Sequence, residues 1–199
     1  MTMYLIDGKM NSGKTLALTY FALKDYQEGR KIITNYNINI PHYEINKDFL
    51  FWMAETQPDT SGMSFFFDEI WLYIDSRSPF ANRVLTYFFL QSSKGSPPAN
   101  VYMTTQNKGQ IDVRVRDNAH IEYKCERRVL IENKLRKISN KVRDLGKDIY
   151  KYLYIKISES EIKQHSGFMQ RFSPADKVYY IKADWIFKFY DTHQKMKGK

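Results

Sequence analysis

The sequence predicts an α/β fold with a mostly parallel central sheet and a β-rich C-terminal extension. Three observations predict it. Apolar, strand-like runs alternate with helix-like segments over residues 1–132. The stretch "GKMNSGKT" (8–15) sits at the first strand-to-helix junction, and "MSFFFDEI" (63–70) reads as a buried strand running into two acids. Beyond residue 145 the pattern changes to runs rich in Tyr, Ile and Phe.

The elements follow in order. "YLID" (4–7) is a short apolar run, a buried strand. "KTLALTYFALKDYQEG" (14–29) has one apolar face and a glycine stop, a helix. "KIITNYNI" (31–38) is β-branched, a second strand. The stretch from 39 to 62 is irregular, with room for one short helix, and 63–70 is the next strand. "VLTYFFLQSSK" (84–94) reads as a helix, "GSPPA" breaks the chain, and "NVYMTTQN" (100–107) is another strand. "AHIEYKCERRVLIE" (119–132) fits one strand or a hairpin, and "NKLRKISNKVRDLGK" a basic, polar linker. "DIYKYLYIKISE" (148–159) and "KVYYIKADWIFKFYDT" (177–192) read as strands, the second with room for a short helix at its end. The organisation expected is a core over 1–132 and an extension over 133–199 packed on it.

The 199 residues include 43% hydrophobic and 16% aromatic side chains, enough to build a core and to exclude a disordered chain. The formal charge of +9 serves solubility or attracts a polyanion; lysines interleaved with aromatics toward the C-terminus favour nucleic acid. Cys125 is the single cysteine, so no internal disulfide forms and a reducing compartment is expected. No signal peptide or apolar run of transmembrane length is visible, which points to a soluble, intracellular protein. His42, His120, His165 and His193 have no ligand spacing and read as structural; Trp52, Trp71 and Trp185 read as core or interface, with Trp71 close to the acids.

"GKMNSGKT" matches G-x-x-x-x-G-K-[ST] in full. Such a loop curls the backbone of Gly8, Lys9, Met10, Asn11, Ser12 and Gly13 around phosphate oxygens, and its glycines permit the close approach. The helix that follows aims its positive end at the same phosphates. Lys14 reaches the β- and γ-phosphates, and Thr15 ligates Mg²⁺. The nucleoside triphosphate and its metal require an acid elsewhere. Asp68 suits the metal through water, and Glu69 suits the role of general base toward an attacking water. Successive strand residues face opposite ways, so the two acids take different tasks. Gln106, at the end of the 100–107 strand, suits a γ-phosphate sensor if that strand lies between the loop strand and the acid strand. Arg114 and Arg116, alternating on a strand or turn, are candidates for an arginine supplied to a neighbouring subunit's site; Arg77 and Arg83 are weaker ones.

The segments "GKMNSGKT", "EGRKIITNYNI", "FFFDEIWLYIDSR" and "VYMTTQNKGQIDVRVRDN", in that order, resemble the FtsK–HerA superfamily of P-loop ATPases over residues 3–123. Within it the chain is most similar to genome-packaging ATPases of archaeal viruses, and is also similar to zonula-occludens-toxin-like assembly ATPases of filamentous phages. The resemblance implies an additional-strand, catalytic-glutamate P-loop core. It implies ATP and Mg²⁺ as ligands, Lys14 and Thr15 in Walker A, Asp68 and Glu69 in Walker B, and Gln106 at the sensor position. It also implies a ring, as a hexamer, with an arginine acting in trans. The expected function is translocation of double-stranded DNA, packaging a viral genome into a preformed capsid in the host cytoplasm, with a capsid or vertex protein as partner. Lys94 with the loop after it, Lys108 and the basic stretch 134–147 are the expected DNA contacts. The alternatives are filament assembly, a slow nucleotide switch and a small-molecule kinase. The lack of a membrane-spanning run favours packaging, and Glu69 argues against a switch.

Overall fold

Short runs buried along almost their whole length build a sheet covered on both faces, the arrangement that parallel strands require. The computed structural model describes residues 2–73, 96–138, 152–161 and 177–190. Its strands are β1 (Thr2–Asp7), β2 (Lys31–Thr34), β3 (Tyr43–Glu44), β4 (Met63–Phe67), β5 (Asn100–Thr105), β6 (Ile121–Ile131), β7 (Lys134–Lys137), β8 (Leu153–Glu161) and β9 (Lys177–Lys182). Its helices are α1 (Lys14–Gln27), α2 (Lys47–Thr56) and α3 (Val113–Asp117). The sheet order is β3-β2-β4-β5-β1-β6-β8-β9, with β7 paired to β6. Strands β1 to β6 run parallel. The later pairs β6–β7, β6–β8 and β8–β9 are antiparallel and lengthen the same sheet.

Strand β4 shows how sequence sets the layers. Phe65 and Phe67 pack into one core with Met3, Leu5, Leu50 and Met53, while Phe66 between them packs into the other with Ile6, Leu18 and Phe21. One face therefore lies under α2 and the other under α1. On the α1 face a row of rings crosses four strands: Phe66 stacks on Tyr102 at 4.7 Å, Tyr102 on Tyr4 at 4.3 Å, and Tyr4 on Tyr123 at 5.7 Å. Phe21 of α1 covers Tyr102 and Tyr123 at 5.4 and 4.7 Å. The row ties the helix that follows the phosphate loop to the strands that carry the acids.

A buried carboxylate stitches the opposite end of the sheet. Asp25 accepts from Ser64 Oγ at 2.6 Å, Asn100 Nδ2 at 3.2 Å and Tyr102 OH at 3.3 Å. Arg30 lies 3.8 Å away and donates to Ser64 Oγ and to the carbonyls of Met63 and Pro98.

Several expectations need correcting. Strand β4 stops at Phe67 and β2 at Thr34, because turns that serve the site begin there. Residues 113–117 form a short helix, not a strand: the Asp112 carboxylate caps it by accepting from Arg114 N at 2.9 Å. The first residues of the supposed linker pair with β6 as β7, after a turn in which Glu132 and Asn133 both take positive φ. Residues 119–132 hold one strand of eleven residues rather than a hairpin. Trp52 and Trp185 are exposed, which rules out the core half of the core-or-interface expectation. His120 is structural, as expected: its Nδ1 accepts from Met3 N while its backbone N–H donates to Met3 O. The expected helix at 84–94, Arg77, Arg83, Lys94, His165, His193 and most of the basic stretch beyond residue 138 lie outside the described residues.

Candidate active site

The loop between β1 and α1 is shaped by what its glycines must avoid. A Cβ on Gly8 would lie 2.4 Å from Ser12 Oγ and 2.8 Å from the carbonyl oxygen of Cys125. Gly13 takes φ +94°, and a Cβ there would meet Ile155 Cδ1 at 2.3 Å. β6 and β8 thus press against the loop, and both positions require glycine. Asn11 also takes a positive φ, and Ser12 N donates to Lys9 O at 3.0 Å, closing the turn. Ser12 Oγ is buried with no hydrogen-bond partner among the described residues. An orphaned hydroxyl inside a backbone cradle at a helix N-terminus fits a phosphate oxygen. Met10, by contrast, is exposed.

Lys14 is buried at the first position of α1. Its Nζ donates to Lys9 O at 3.3 Å and lies 3.9 Å from Glu69 Oε1. Thr15 Oγ1 donates to Asp68 Oδ2 at 2.9 Å. A hydroxyl and a carboxylate side by side form a hard-oxygen donor pair that fits Mg²⁺. Burial holds the Asp68 carboxyl above the usual carboxylate range, against the opposing effect of hydrogen bonds from Thr104 and Thr15.

The two acids converge on the loop instead of diverging. β4 has ended at Phe67, and Glu69 takes a left-handed φ of 52°, so strand alternation no longer applies and the Glu69 side chain turns back toward Lys14. Glu69 Oε1 accepts from Gln106 Nε2 at 2.8 Å, and Oε2 from Trp71 Nε1 at 2.8 Å. Gln106 reaches it because β5 lies between β1 and β4, the placement the sensor reading required.

Two residues that sequence reasoning passed over hold this corner. Asn35 brackets the Asp68 backbone, and Thr104 donates to Asp68 Oδ1 at 2.6 Å while accepting from Glu69 N at 2.8 Å. Their signal was present in the strand-end pairs "TN" (34–35) and "TT" (104–105), polar residues closing otherwise apolar strands.

The candidate arginines stand apart from this cluster. Arg114 is engaged by Asp112 through Nε and Nη2 at 2.9 and 2.7 Å. Arg116 makes one longer contact, 3.3 Å, to Asp117. Two residues apart on a helix, they point about 200° apart, so one neighbouring site cannot take both. Lys108, one of the expected DNA contacts, forms an ion pair with Glu122 and is 23% exposed.

A parallel sheet with one strand between the loop strand and the acid strand, a phosphate loop opening a helix, and an acid pair at the sheet's C-terminal edge define a P-loop NTPase fold. Solved structures share it. The N-terminal domain of zonular occludens toxin from Neisseria meningitidis superposes with a TM-score of 0.57 at 19% identity, over 96% of this chain and 98% of that one. The pCW3 conjugation coupling protein TcpA, in its monomer form with ATPγS, does so with a TM-score of 0.50 at 10% identity, over 93% of this chain and 60% of that one. The genome packaging NTPase of Sulfolobus turreted icosahedral virus 2 with ATPγS matches at 0.45 and 14% identity, over 79% and 91%. No family model and no curated protein matches the sequence.

Proposed function

We propose that the chain is a Mg²⁺-dependent ATPase that moves double-stranded DNA, packaging a viral genome into a preformed capsid as a ring of subunits. The observation that carries the hydrolytic part is the convergence of Lys14, Thr15, Asp68, Glu69 and Gln106 on one site from three separate segments. Lys14 exchanges its contacts with Lys9 O and Glu69 for the β- and γ-phosphates. Thr15 and Asp68 would hold Mg²⁺, which when bound would offset charge on the phosphate oxygens. Glu69 accepts the proton of the attacking water, and Gln106 registers the γ-phosphate through its bond to Glu69. The DNA part rests on the net charge of +9 and on the sequence resemblance to packaging ATPases.

A second reading is an ATPase of filamentous virion assembly or export. What favours it is the end-to-end correspondence with the zonular occludens toxin domain. Among the described residues no helix is long and apolar enough to cross a membrane.

Steady-state ATP hydrolysis with and without double-stranded DNA, with Glu69→Gln as the blank, separates the two. A Glu69-dependent rate raised several-fold by DNA supports translocation. A Glu69-dependent rate indifferent to DNA moves assembly to first place.

A further inference from the structure

We propose that Trp71 is a positioning residue for Glu69: its indole N–H holds the carboxylate in the orientation from which it takes a proton from water. The inference rests on the hydrolytic reading above.

Glu69 turns back through a left-handed φ of 52° into a 3-10 turn, Ile70–Leu72. That turn carries the half-buried Trp71 beside the carboxylate it follows, with Nε1 donating to Oε2 at 2.8 Å. The other oxygen accepts from Gln106, also at 2.8 Å, and lies 3.9 Å from the Lys14 ammonium. Once a γ-phosphate draws Lys14 away, two neutral donors remain, one on each oxygen. One donor alone lets a carboxylate swing about that contact; two fix its plane, and each oxygen keeps a lone pair for water. An indole N–H suits this task because it is a donor only, is uncharged at every working pH, and leaves the carboxylate's negative charge unneutralised. Of the two donors, Gln106 comes from the end of a separate strand, whereas Trp71 lies on the same turn as Glu69.

The test uses the whole chain. Single-turnover hydrolysis of radiolabelled ATP is compared in wild type, Trp71→Phe, Glu69→Gln and the double variant, alongside ATP affinity. Trp71→Phe is expected to slow turnover by about tenfold or more, with affinity changed by less than about twofold. In the Glu69→Gln background the same change should cost less than about twofold, because a residue acting only through Glu69 has nothing left to position. Trp71→His, which keeps a ring N–H, should recover part of the rate. Independently of turnover, tryptophan emission should respond to Glu69→Ala only while Trp71 is present. A Trp71→Phe variant as fast as wild type, or one equally slowed with and without Glu69, overturns the positioning role alone. A wild type that hydrolyses no nucleotide overturns the hydrolytic reading and takes this one with it.

Discussion

Asn35 and Asp68 exchange two hydrogen bonds: Asn35 Nδ2 donates to Asp68 O and Asp68 N donates to Asn35 Oδ1, each at 2.8 Å. An amide side chain at the end of β2 thereby completes the backbone of the residue that turns away from the end of β4. Asn35→Ala leaves a buried N–H and C=O without partners and should cost roughly 2 kcal/mol. Urea unfolding should show that loss, and Mg²⁺-dependent nucleotide affinity should fall with it. Asn35→Asp cannot donate to the Asp68 carbonyl and should not rescue either property.

The two loop glycines should fail for different reasons. An Ala at Gly8 meets the Cys125 carbonyl oxygen, which is backbone and cannot swing aside. An Ala at Gly13 meets the end of the Ile155 side chain, but at φ +94°. Trimming Ile155 to Val should therefore relieve part of the stability lost in Gly13→Ala and none of that lost in Gly8→Ala. The residual cost at Gly13 is the left-handed backbone, about 1 kcal/mol or more. Thermal unfolding of the four variants measures it.

If an arginine acts in trans, Arg116 is the better placed, since Arg114 is held by two bonds to Asp112. Arg116→Ala should reduce turnover by about 10³-fold, with nucleotide affinity nearly unchanged. Mixing Arg116→Ala subunits with Glu69→Gln subunits should restore activity at interfaces that pair one intact arginine with one intact glutamate. No recovery on mixing would place the residue outside the neighbour's site.

Burial raises the Asp68 carboxyl above its ordinary 3.8. The nucleotide-free folded state therefore keeps this proton to higher pH than the unfolded chain does. With more protons bound folded than unfolded, this group's contribution to stability falls as pH rises through that window, and Asp68→Asn should flatten the slope. Metal binding needs the carboxylate, so Mg²⁺-nucleotide binding should strengthen with pH there and release a proton. Calorimetry in buffers of different ionisation enthalpy measures the release.

Burial also pushes the Cys125 thiol up to about 12, leaving little thiolate at pH 8. Alkylation of the native protein should be slow and should accelerate by orders of magnitude in denaturant. Rapid native labelling would show that β6 opens beside the phosphate loop.

The phosphate loop, the acid pair, the strand–helix alternation over residues 2–73 and the place of Gln106 after β5 are legible in the sequence, because each depends on local order. A loop that wraps phosphate is contiguous, and strand periodicity is visible within a few residues. Tertiary structure decided the rest. The convergence of Asp68 and Glu69 depends on a left-handed turn after β4, where strand alternation predicts divergence. Asn35, Thr104 and Trp71 serve the acids through bonds made between strand ends and within a tight turn, which periodicity does not encode. Lys108 reads as a free cation until β6 brings Glu122 beside it. The need for glycine at position 13 is fixed as much by Ile155 on β8, far along the chain, as by the phosphate it is shaped to receive.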